Sequence, residues 1–103
     1  TSVSKKDVQA PASFALHQNY PNPFNPSTTI EYDLLREGNV SLKVYNILGS
    51  EIAVLVDARQ SAGTHSVSWS GKSKSGVLVG SGVYFVRLES NGLVDVKKLV
   101  LVR

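Results

Sequence analysis

The 103-residue sequence contains no cysteine, so no disulfide bond can hold its fold together. It also has no apolar run that approaches the ~20 residues of a membrane-spanning helix, and we predict no membrane span. No signal-peptide pattern occurs in these residues, and we expect any leader to lie far upstream. The fold must therefore be stabilised by a packed core.

Charge of either sign is modest. Eleven Lys and Arg residues stand against eight Asp and Glu residues, which gives a formal net charge of +3. The basic residues are spread along the chain and form no stripe interleaved with aromatic side chains, the usual footprint of nucleic-acid binding. We therefore predict a mildly basic surface and no nucleic-acid partner.

Groups that carry catalysis are scarce. Hydrolysis and group transfer need a nucleophile with a positioned base, a carboxylate pair or a metal cluster. His17 and His65 have no Asp or Glu at short spacing to orient them, and Asp33, Asp57 and Asp95 are isolated. The glycines form no phosphate-binding run at the start of a helix. We predict that the chain is not an enzyme and has no catalytic, cofactor-binding or metal-binding residues.

Length and composition fit one globular domain, with 42% hydrophobic and 18% charged residues. Residues 1–13 show neither helical nor strand periodicity and contain little that can be buried. We predict that they are a linker from an upstream secreted domain. Residues 14–103 are the predicted folded domain.

Three of the four prolines lie close together in residues 19–28. Each proline fixes its own φ and favours extended geometry in the preceding residue, so the segment can be neither a helix nor a central strand. We expect Asn22 and Asn25 to bond nearby amides in Asx-turns, and Tyr20 and Phe24 to anchor the segment on the core. It is interpreted as a stiff clamp before the first long strand. Its structural positions are Tyr20, Pro21, Asn22, Pro23, Phe24, Asn25 and Pro26.

Alternating apolar residues predict β-strands along the rest of the chain, most clearly over residues 28–34. We count seven strand candidates at the spacing typical of sandwiches, and no convincing helix. Trp69 alternates in phase with Val67 and is predicted to be the largest core side chain. The predicted turns contain Gly49, Gly63 and Asn91-Gly92. The predicted fold is all-β, an Ig-like antiparallel β-sandwich.

Two strands depart from simple alternation. Residues 52–56 are apolar on both faces, which indicates a strand covered on two sides or one that changes sheets at a corner. In the last strand Val94 and Leu99 lie on opposite parities. A bulge at Lys97-Lys98 would restore a single buried face, and the alternative is that both faces are partly covered.

Several motifs carry a family resemblance that runs from about Phe14 to the last residue. The first is Leu16-x-Gln18-Asn19-Tyr20-Pro21-Asn22-Pro23-Phe24-Asn25-Pro26-Ser27-Thr28-x-Ile30. The later ones are Val44-Tyr45-Asn46-Ile47-Leu48-Gly49, Ala62-Gly63-x-His65-x-Val67-x-Trp69, Ser81-Gly82-Val83-Tyr84-Phe85 and Lys97-Lys98-Leu99-Val100-Leu101-Val102-Arg103. Together they resemble the C-terminal sorting domains of proteins exported by the type IX secretion system of certain Gram-negative bacteria. The pattern is also similar to the Ig-like domain of flagellar hook-capping proteins. Ser70 stands where the family usually has an acidic residue, so we expect no cation site at that turn.

The resemblance implies a non-catalytic sorting and attachment domain, which directs a secreted protein through the periplasm to the cell surface or the medium. Its implied partners are the outer-membrane secretion and sortase machinery of the type IX system and the cargo domain of the same polypeptide. The terminal hairpin resembles the block that this machinery recognises. The implied recognition residues are Gly82, Val83, Tyr84, Lys97, Lys98, Leu99, Val100 and Arg103.

The last strand is expected to be a sheet edge whose unpaired amides and carbonyls could accept a partner strand. The alternative is that Lys97 and Lys98 only keep this edge soluble, as charged residues on edge strands commonly do.

Two other functions remain open. One is a carbohydrate-binding or spacer Ig-like module of a secreted glycosidase, and the other is a hook-cap-like assembly domain. A flat sugar platform needs several exposed rings, whereas parity places only Tyr45 among the candidates on an outer face. Exposed coplanar aromatic rings in the structure would favour sugar binding, and their absence would favour sorting.

Overall fold

Seven β-strands make up two sheets in the computed structural model, which describes residues 13–103. The strands are β1 (Ala15–Leu16), β2 (Thr28–Leu34), β3 (Gly38–Asn46), β4 (Glu51–Gln60), β5 (Gly63–Trp69), β6 (Gly82–Ser90) and β7 (Leu93–Leu101). One sheet has the order β1-β2-β5 and the other β4-β3-β6-β7, with antiparallel neighbours throughout. No helix occurs in residues 13–103. The predicted antiparallel β-sandwich is confirmed, while the predicted linker lies outside the described residues except for Ser13.

The core is formed by alternate residues of the facing strands, because successive side chains of a strand point to opposite faces. In β2 the buried residues include Ile30 and Tyr32, and in β6 they include Val86 and Leu88. Burial raises the pKa of the Tyr32 hydroxyl, and the hydrogen bond that this hydroxyl donates to Gln60 opposes the rise. The alternation in residues 28–34 therefore predicts the buried face correctly.

Strand β4 is apolar on both parities, and register shifts in its pairing with β3 bring residues of both parities to the core. Its pairing with β3 skips Leu55 and, further along, Ile52. Both skipped residues are partly buried and pack against the core. Each extra residue reverses the alternation, so side chains of both parities turn inward. Strand β4 pairs within the larger sheet alone, and Val54 on its outer face is 40% exposed. The structure therefore shows neither a strand covered on two sides nor one that changes sheets, the two alternatives that the sequence left open.

Strand β7 pairs with β6 without any register shift, so the predicted bulge at Lys97 and Lys98 is wrong. Leu99 is buried, whereas Val96 is exposed on the outer face. Asp95 is the core-side residue that precedes Lys97 on the same parity of β7. Its carboxylate Oδ2 accepts the Leu16 amide at 3.0 Å. The core ends at this point, and the strand can carry polar residues on its inner parity because β1 supplies a polar partner.

Trp69 is buried, as its alternation predicts. Its ring centroid lies 5.7 Å from Phe24 and 5.6 Å from Tyr84, and its indole Nε1 donates to the Lys72 carbonyl at 2.9 Å. Aromatic pairs at such separations add to the stabilisation from buried area. Trp69 thus connects β5, β6 and the proline segment.

We expect Trp69→Ala to lower the free energy of unfolding by about 3 to 5 kcal/mol, because it leaves a large cavity beside Phe24 and Tyr84. Urea denaturation followed by circular dichroism measures this change. Tyr20→Ala is the matched control, since the Tyr20 side chain is 81% exposed and its loss should change stability by less than about 0.5 kcal/mol. Equal stability of the two variants would contradict the core assignment.

Candidate recognition site

The outer edge of β7 is covered by the proline segment. The Phe24 amide donates to the Val100 carbonyl at 2.9 Å, and the Val102 amide donates to the Phe24 carbonyl at 3.0 Å. Phe24 thereby makes an isolated parallel bridge with Leu101. A short length of strand pairing closes the end of the sheet where a partner strand was expected to add.

Side chains extend this cover along β7. The Val100 amide donates to Asn22 Oδ1 at 3.0 Å, and Gln18 Nε2 donates to the Lys98 carbonyl at 2.8 Å. Nearer the hairpin, the Val96 amide donates to Asp95 Oδ1 at 2.9 Å. The expectation of a freely accessible edge is therefore wrong for the end of β7 from Lys98 onward, because residues about 80 positions earlier occupy most of the hydrogen-bonding groups there.

The proline segment itself is held by Asn19 and Thr28, both buried. Asn19 Nδ2 donates to the Pro21 carbonyl at 3.1 Å and to Thr28 Oγ1 at 2.9 Å, and that hydroxyl donates to the Pro21 carbonyl at 2.8 Å. The peptide bonds that precede Pro21, Pro23 and Pro26 are cis. These contacts support the interpretation of the segment as a clamp.

Two details of the predicted clamp are wrong. Asn22 bonds the distant strand β7 instead of a neighbouring amide in an Asx-turn. Tyr20 is largely exposed, so Phe24 is the only one of the two aromatic residues that anchors the segment. Sequence spacing favoured local hydrogen bonds. In the folded domain the Val100 amide of β7, which has no strand partner on that side, lies beside Asn22 and donates to it.

The residues expected to carry recognition fall into three groups. Tyr84 and Leu99 are buried in the core. Val83, Lys98 and Val100 lie on the outer face of the larger sheet, where Lys98 is exposed and the two valines are half-buried. Gly82 and Arg103 lie at the end of the sandwich, and Lys97 has the opposite parity from Lys98. The structure does not bring all of these side chains to one surface.

Register places Val83, Phe85, Lys98 and Val100 together with Tyr45, and we call these five residues the outer-face patch. Val83 pairs with Val100, Phe85 pairs with Lys98, and Tyr45 pairs with Phe85 on its other side. Cross-strand partners in antiparallel sheets stand about 4.5 to 5.5 Å apart at Cβ, so these side chains are neighbours. Phe85 was not predicted to belong to the site, although its parity with Val83 could have indicated it.

Charges around the patch are partly neutralised. Arg87 Nη1 donates to Glu89 Oε1 at 3.0 Å, and Lys43 Nζ lies 3.2 Å from Glu51 Oε1. Hydrogen bonds from the two lysines Lys74 and Lys43 hold the pKa of the Glu51 carboxyl below its usual range. Among residues 13–103, no acidic partner lies within ion-pair distance of Lys98. Its ammonium group is therefore available to an external acceptor.

Arg103 has structural contacts. Its Nε donates to the Val79 carbonyl at 2.6 Å and its Nη2 to the Gly71 carbonyl at 2.9 Å. A Cβ atom at Gly71 would stand 2.6 Å from Arg103 Nη2, and the φ of Gly71 is +74°. The guanidinium is therefore occupied in holding residues 70–81 against the end of β7.

The histidines have partners that the sequence did not predict. His17 Nε2 lies 2.8 Å from Asp33 Oδ2, and Thr64 Oγ1 donates to Asp33 Oδ1 at 2.8 Å. His65 Nε2 bonds the Ser61 carbonyl and its ring stacks on Tyr32. Asp33 is thus not isolated, because strand pairing brings it beside residues distant in sequence. Asp33 thus holds the His17 imidazole through one carboxylate oxygen and the Thr64 hydroxyl through the other.

The sugar-platform alternative is disfavoured by the arrangement of the rings. Phe24, Trp69 and Tyr84 contact one another inside the core, and Tyr32 stacks on His65. In the part of the chain that the structure describes, no set of exposed coplanar aromatic rings occurs. Over the same residues there is no group of three or more His, Cys, Asp or Glu side chains that could hold a metal ion. None of these residues forms a helix long and apolar enough to cross a membrane.

Comparison with known proteins connects these features to one family. A family model described as the secretion system C-terminal sorting domain matches residues 18–102. A search of curated proteins found no match. Among solved structures, dimeric latent PorU from Porphyromonas gingivalis matches with a TM-score of 0.69 at 23% identity, over 92% of this chain and 10% of that chain.

Two other structures show the same fold. FlgD from P. aeruginosa matches with a TM-score of 0.59 at 23% identity, over 72% of this chain and 60% of that chain. PorZ from Porphyromonas gingivalis, a surface component of the type IX secretion system, matches with a TM-score of 0.57 at 21% identity, over 87% of this chain and 11% of that chain. The chain spans about a tenth of the length of PorU and PorZ.

Removal of one clamp contact tests the closed edge. Asn22→Ala deletes the acceptor of the Val100 amide, and we expect it to lower the free energy of unfolding by about 0.5 to 1.5 kcal/mol. Asn25→Ala is the matched control, because Asn25 also precedes a proline but is exposed and bonds no described strand. Urea denaturation of both variants measures the difference. If Asn22→Ala were as stable as Asn25→Ala, the contact with β7 would have no energetic role.

Proposed function

Because the chain belongs to the family of secretion system C-terminal sorting domains, we propose that its outer-face patch is the surface that the type IX machinery recognises. The domain has a non-catalytic sorting role, and the family match over residues 18–102 is the observation that carries this conclusion. Four of its five residues lie on the outer face of the terminal hairpin, and Tyr45 lies beside them on β3.

Recognition through the face fits the geometry better than recognition through the edge. The backbone groups of β7 are bonded at Val96, Val100 and Val102 and at the Lys98 carbonyl, so strand addition would first have to displace Phe24 and Asn22. The outer face requires no such displacement. Its aromatic side chains, Tyr45 and Phe85, are of the kind that protein interfaces favour at their centres, and the exposed Lys98 suits the polar rim around them.

Tyr84 and Leu99 then act through the fold. Both are buried, and the Tyr84 hydroxyl donates to the Gly80 carbonyl at 2.7 Å. Loss of either side chain would destabilise the hairpin and so disturb the patch indirectly. Sorting defects in such variants would accompany a loss of stability, whereas defects from Lys98 or Val100 would not.

The sorting role suggests the remaining context of the domain. Residues 1–13 serve as a linker from an upstream secreted cargo domain, and residues 14–103 form the sorting domain. The partners are the outer-membrane and sortase components of the type IX system, which the domain reaches from the periplasm before display on the surface or release. Nucleic acid is not a partner, and the chain itself catalyses no reaction.

A hook-cap-like assembly role is the second candidate. The similarity to FlgD supports a common fold, but an identity of 23% is too low to support a common function. The family match favours sorting, and the absence of an exposed ring platform among residues 13–103 makes sugar binding the weaker alternative.

The two adjacent lysines allow a matched test of the patch. A reporter fused ahead of Thr1 is expressed in a type IX-competent host, and its surface or medium fraction is compared with its periplasmic fraction. We expect Lys98→Glu to cause periplasmic retention, because Lys98 lies on the outer face beside Phe85. Lys97→Glu makes the same charge change on the opposite parity and should be exported normally.

Thermal melting of the isolated chain, followed by circular dichroism, controls for folding of both lysine variants. Val100→Ser is a second change on the same face, and it leaves the net charge unaltered. It should also cause retention. Normal export of the Lys98 and Val100 variants would exclude the patch as the recognised surface. Equal retention of both lysine variants would indicate that total charge matters and position does not.

A further inference from the structure

Two loops at one end of the sandwich expose large aliphatic side chains. The turn between β3 and β4 carries Ile47, which is 71% exposed, and Leu48, which is 85% exposed. The loop between β5 and β6 carries Val77 and Leu78, which are 62% and 58% exposed. We call these four residues the aliphatic tip. They are the most exposed large aliphatic side chains among residues 13–103, and they lie outside the outer-face patch.

The turn that bears Ile47 and Leu48 is fixed by one side chain. Asn46 Oδ1 accepts the amides of Leu48 at 3.0 Å and Ser50 at 2.9 Å, and the Asn46 carbonyl accepts the Gly49 amide at 3.0 Å. Gly49 has a φ of +84°, which most other residues would resist. The backbone is therefore built to point two apolar side chains into solvent, and this costs solubility unless a partner covers them.

The second loop is attached beside the first. The Lys74 amide donates to the Ile52 carbonyl at 2.9 Å, and Lys74 Nζ donates to Glu51 Oε2 at 3.0 Å. Lys72 forms an antiparallel bridge with Leu78, which makes residues 72–78 a small hairpin. Because Glu51 and Ile52 directly follow the first turn, both loops project from the same end of the sandwich.

The charge of this end is positive. Register places the acidic side chains of the described residues in mid-strand or near the opposite end, with one exception. The exception is Glu51, which already contacts both Lys43 and Lys74. Lys72 and the guanidinium of Arg103 lie at the same end without an acidic side chain from residues 13–103 within ion-pair distance. Exposed aliphatic residues are thus surrounded by basic groups.

We propose that the aliphatic tip inserts into an anionic lipid surface, with the surrounding lysines against the lipid headgroups. Apolar insertion combined with basic residues at the headgroup level is the chemistry of peripheral membrane contact. Two projecting loops also suit a fluid surface that adapts to them. This inference does not depend on the identity of the recognition patch.

Sedimentation with vesicles tests the proposal on the whole 103-residue chain. We expect binding to phosphatidylglycerol-phosphatidylcholine vesicles and much weaker binding to pure phosphatidylcholine vesicles, with a further loss at high salt as the headgroup attraction is screened. The double variant Ile47→Ser/Leu48→Ser should bind the anionic vesicles at least about tenfold more weakly, because it removes two of the inserted side chains.

The matched control is Leu35→Ser/Leu93→Ser. Leu35 and Leu93 are 43% and 42% exposed and lie at the turns of the opposite end, so this variant should bind as the unaltered chain does. Lys72→Glu should weaken binding by about fivefold or more, since one headgroup contact is reversed. Unchanged thermal melting curves would show that all three variants are folded.

Several results would overturn the proposal. No binding of the unaltered chain to anionic vesicles would exclude a lipid surface, and this outcome does not rely on any variant. Binding that survives Ile47→Ser/Leu48→Ser would place the contact elsewhere. If the unaltered chain binds no vesicles but self-associates, and Ile47→Ser/Leu48→Ser abolishes that association, the tip is a contact between two copies. A loss of export in the same variant, without vesicle binding, would assign the tip to a protein pocket.

Discussion

The fold depends on the pairing of Phe24 with the last strand. Its amide and carbonyl both bond β7, while its ring packs against Trp69 of the other sheet. Each such backbone bond contributes about 0.5 to 1.5 kcal/mol net, and the buried ring contributes more. One residue near the start of the described chain therefore ties the two sheets together at the strand that completes the larger one. Asp95, which accepts the Leu16 amide, makes a second tie of the same kind.

This constraint determines which part of the terminal hairpin a partner can reach. A sheet edge offers unpaired backbone groups to a partner, but Phe24, Asn22 and Gln18 bond most of those groups at the end of β7. The outer face stays uncovered at this end, and there Lys98 and Val100 stand beside Phe85 and Val83. The proline segment and the terminal motif are far apart in sequence, yet they form one structural unit. The surface that they form together is a property of the folded sandwich and not of either segment alone.

Much of this could be predicted from the sequence, and the failures share a cause. Period-2 alternation in residues 28–34 and around Trp69 predicted the buried faces correctly, because burial and strand geometry are local consequences of side-chain pattern. The predictions for Asn22, Asp33 and the β7 edge were wrong, because each depends on a partner distant in sequence. The apolar alternation also failed to predict that Asp95 lies on the core side of β7. A carboxylate is acceptable there only because it accepts the Leu16 amide of the neighbouring β1.

Native-state amide hydrogen exchange, resolved by residue, measures whether the proline segment closes the edge of β7. The Phe24 and Val102 amides should be protected nearly as well as core amides such as that of Val86, because both donate across the covered edge. The alternation of β7 points the Lys98 amide toward the same edge, where residues 13–103 supply no acceptor, so this amide should exchange quickly. Fast exchange at Phe24 and Val102, at the rate of Lys98, would show that the clamp does not close the strand.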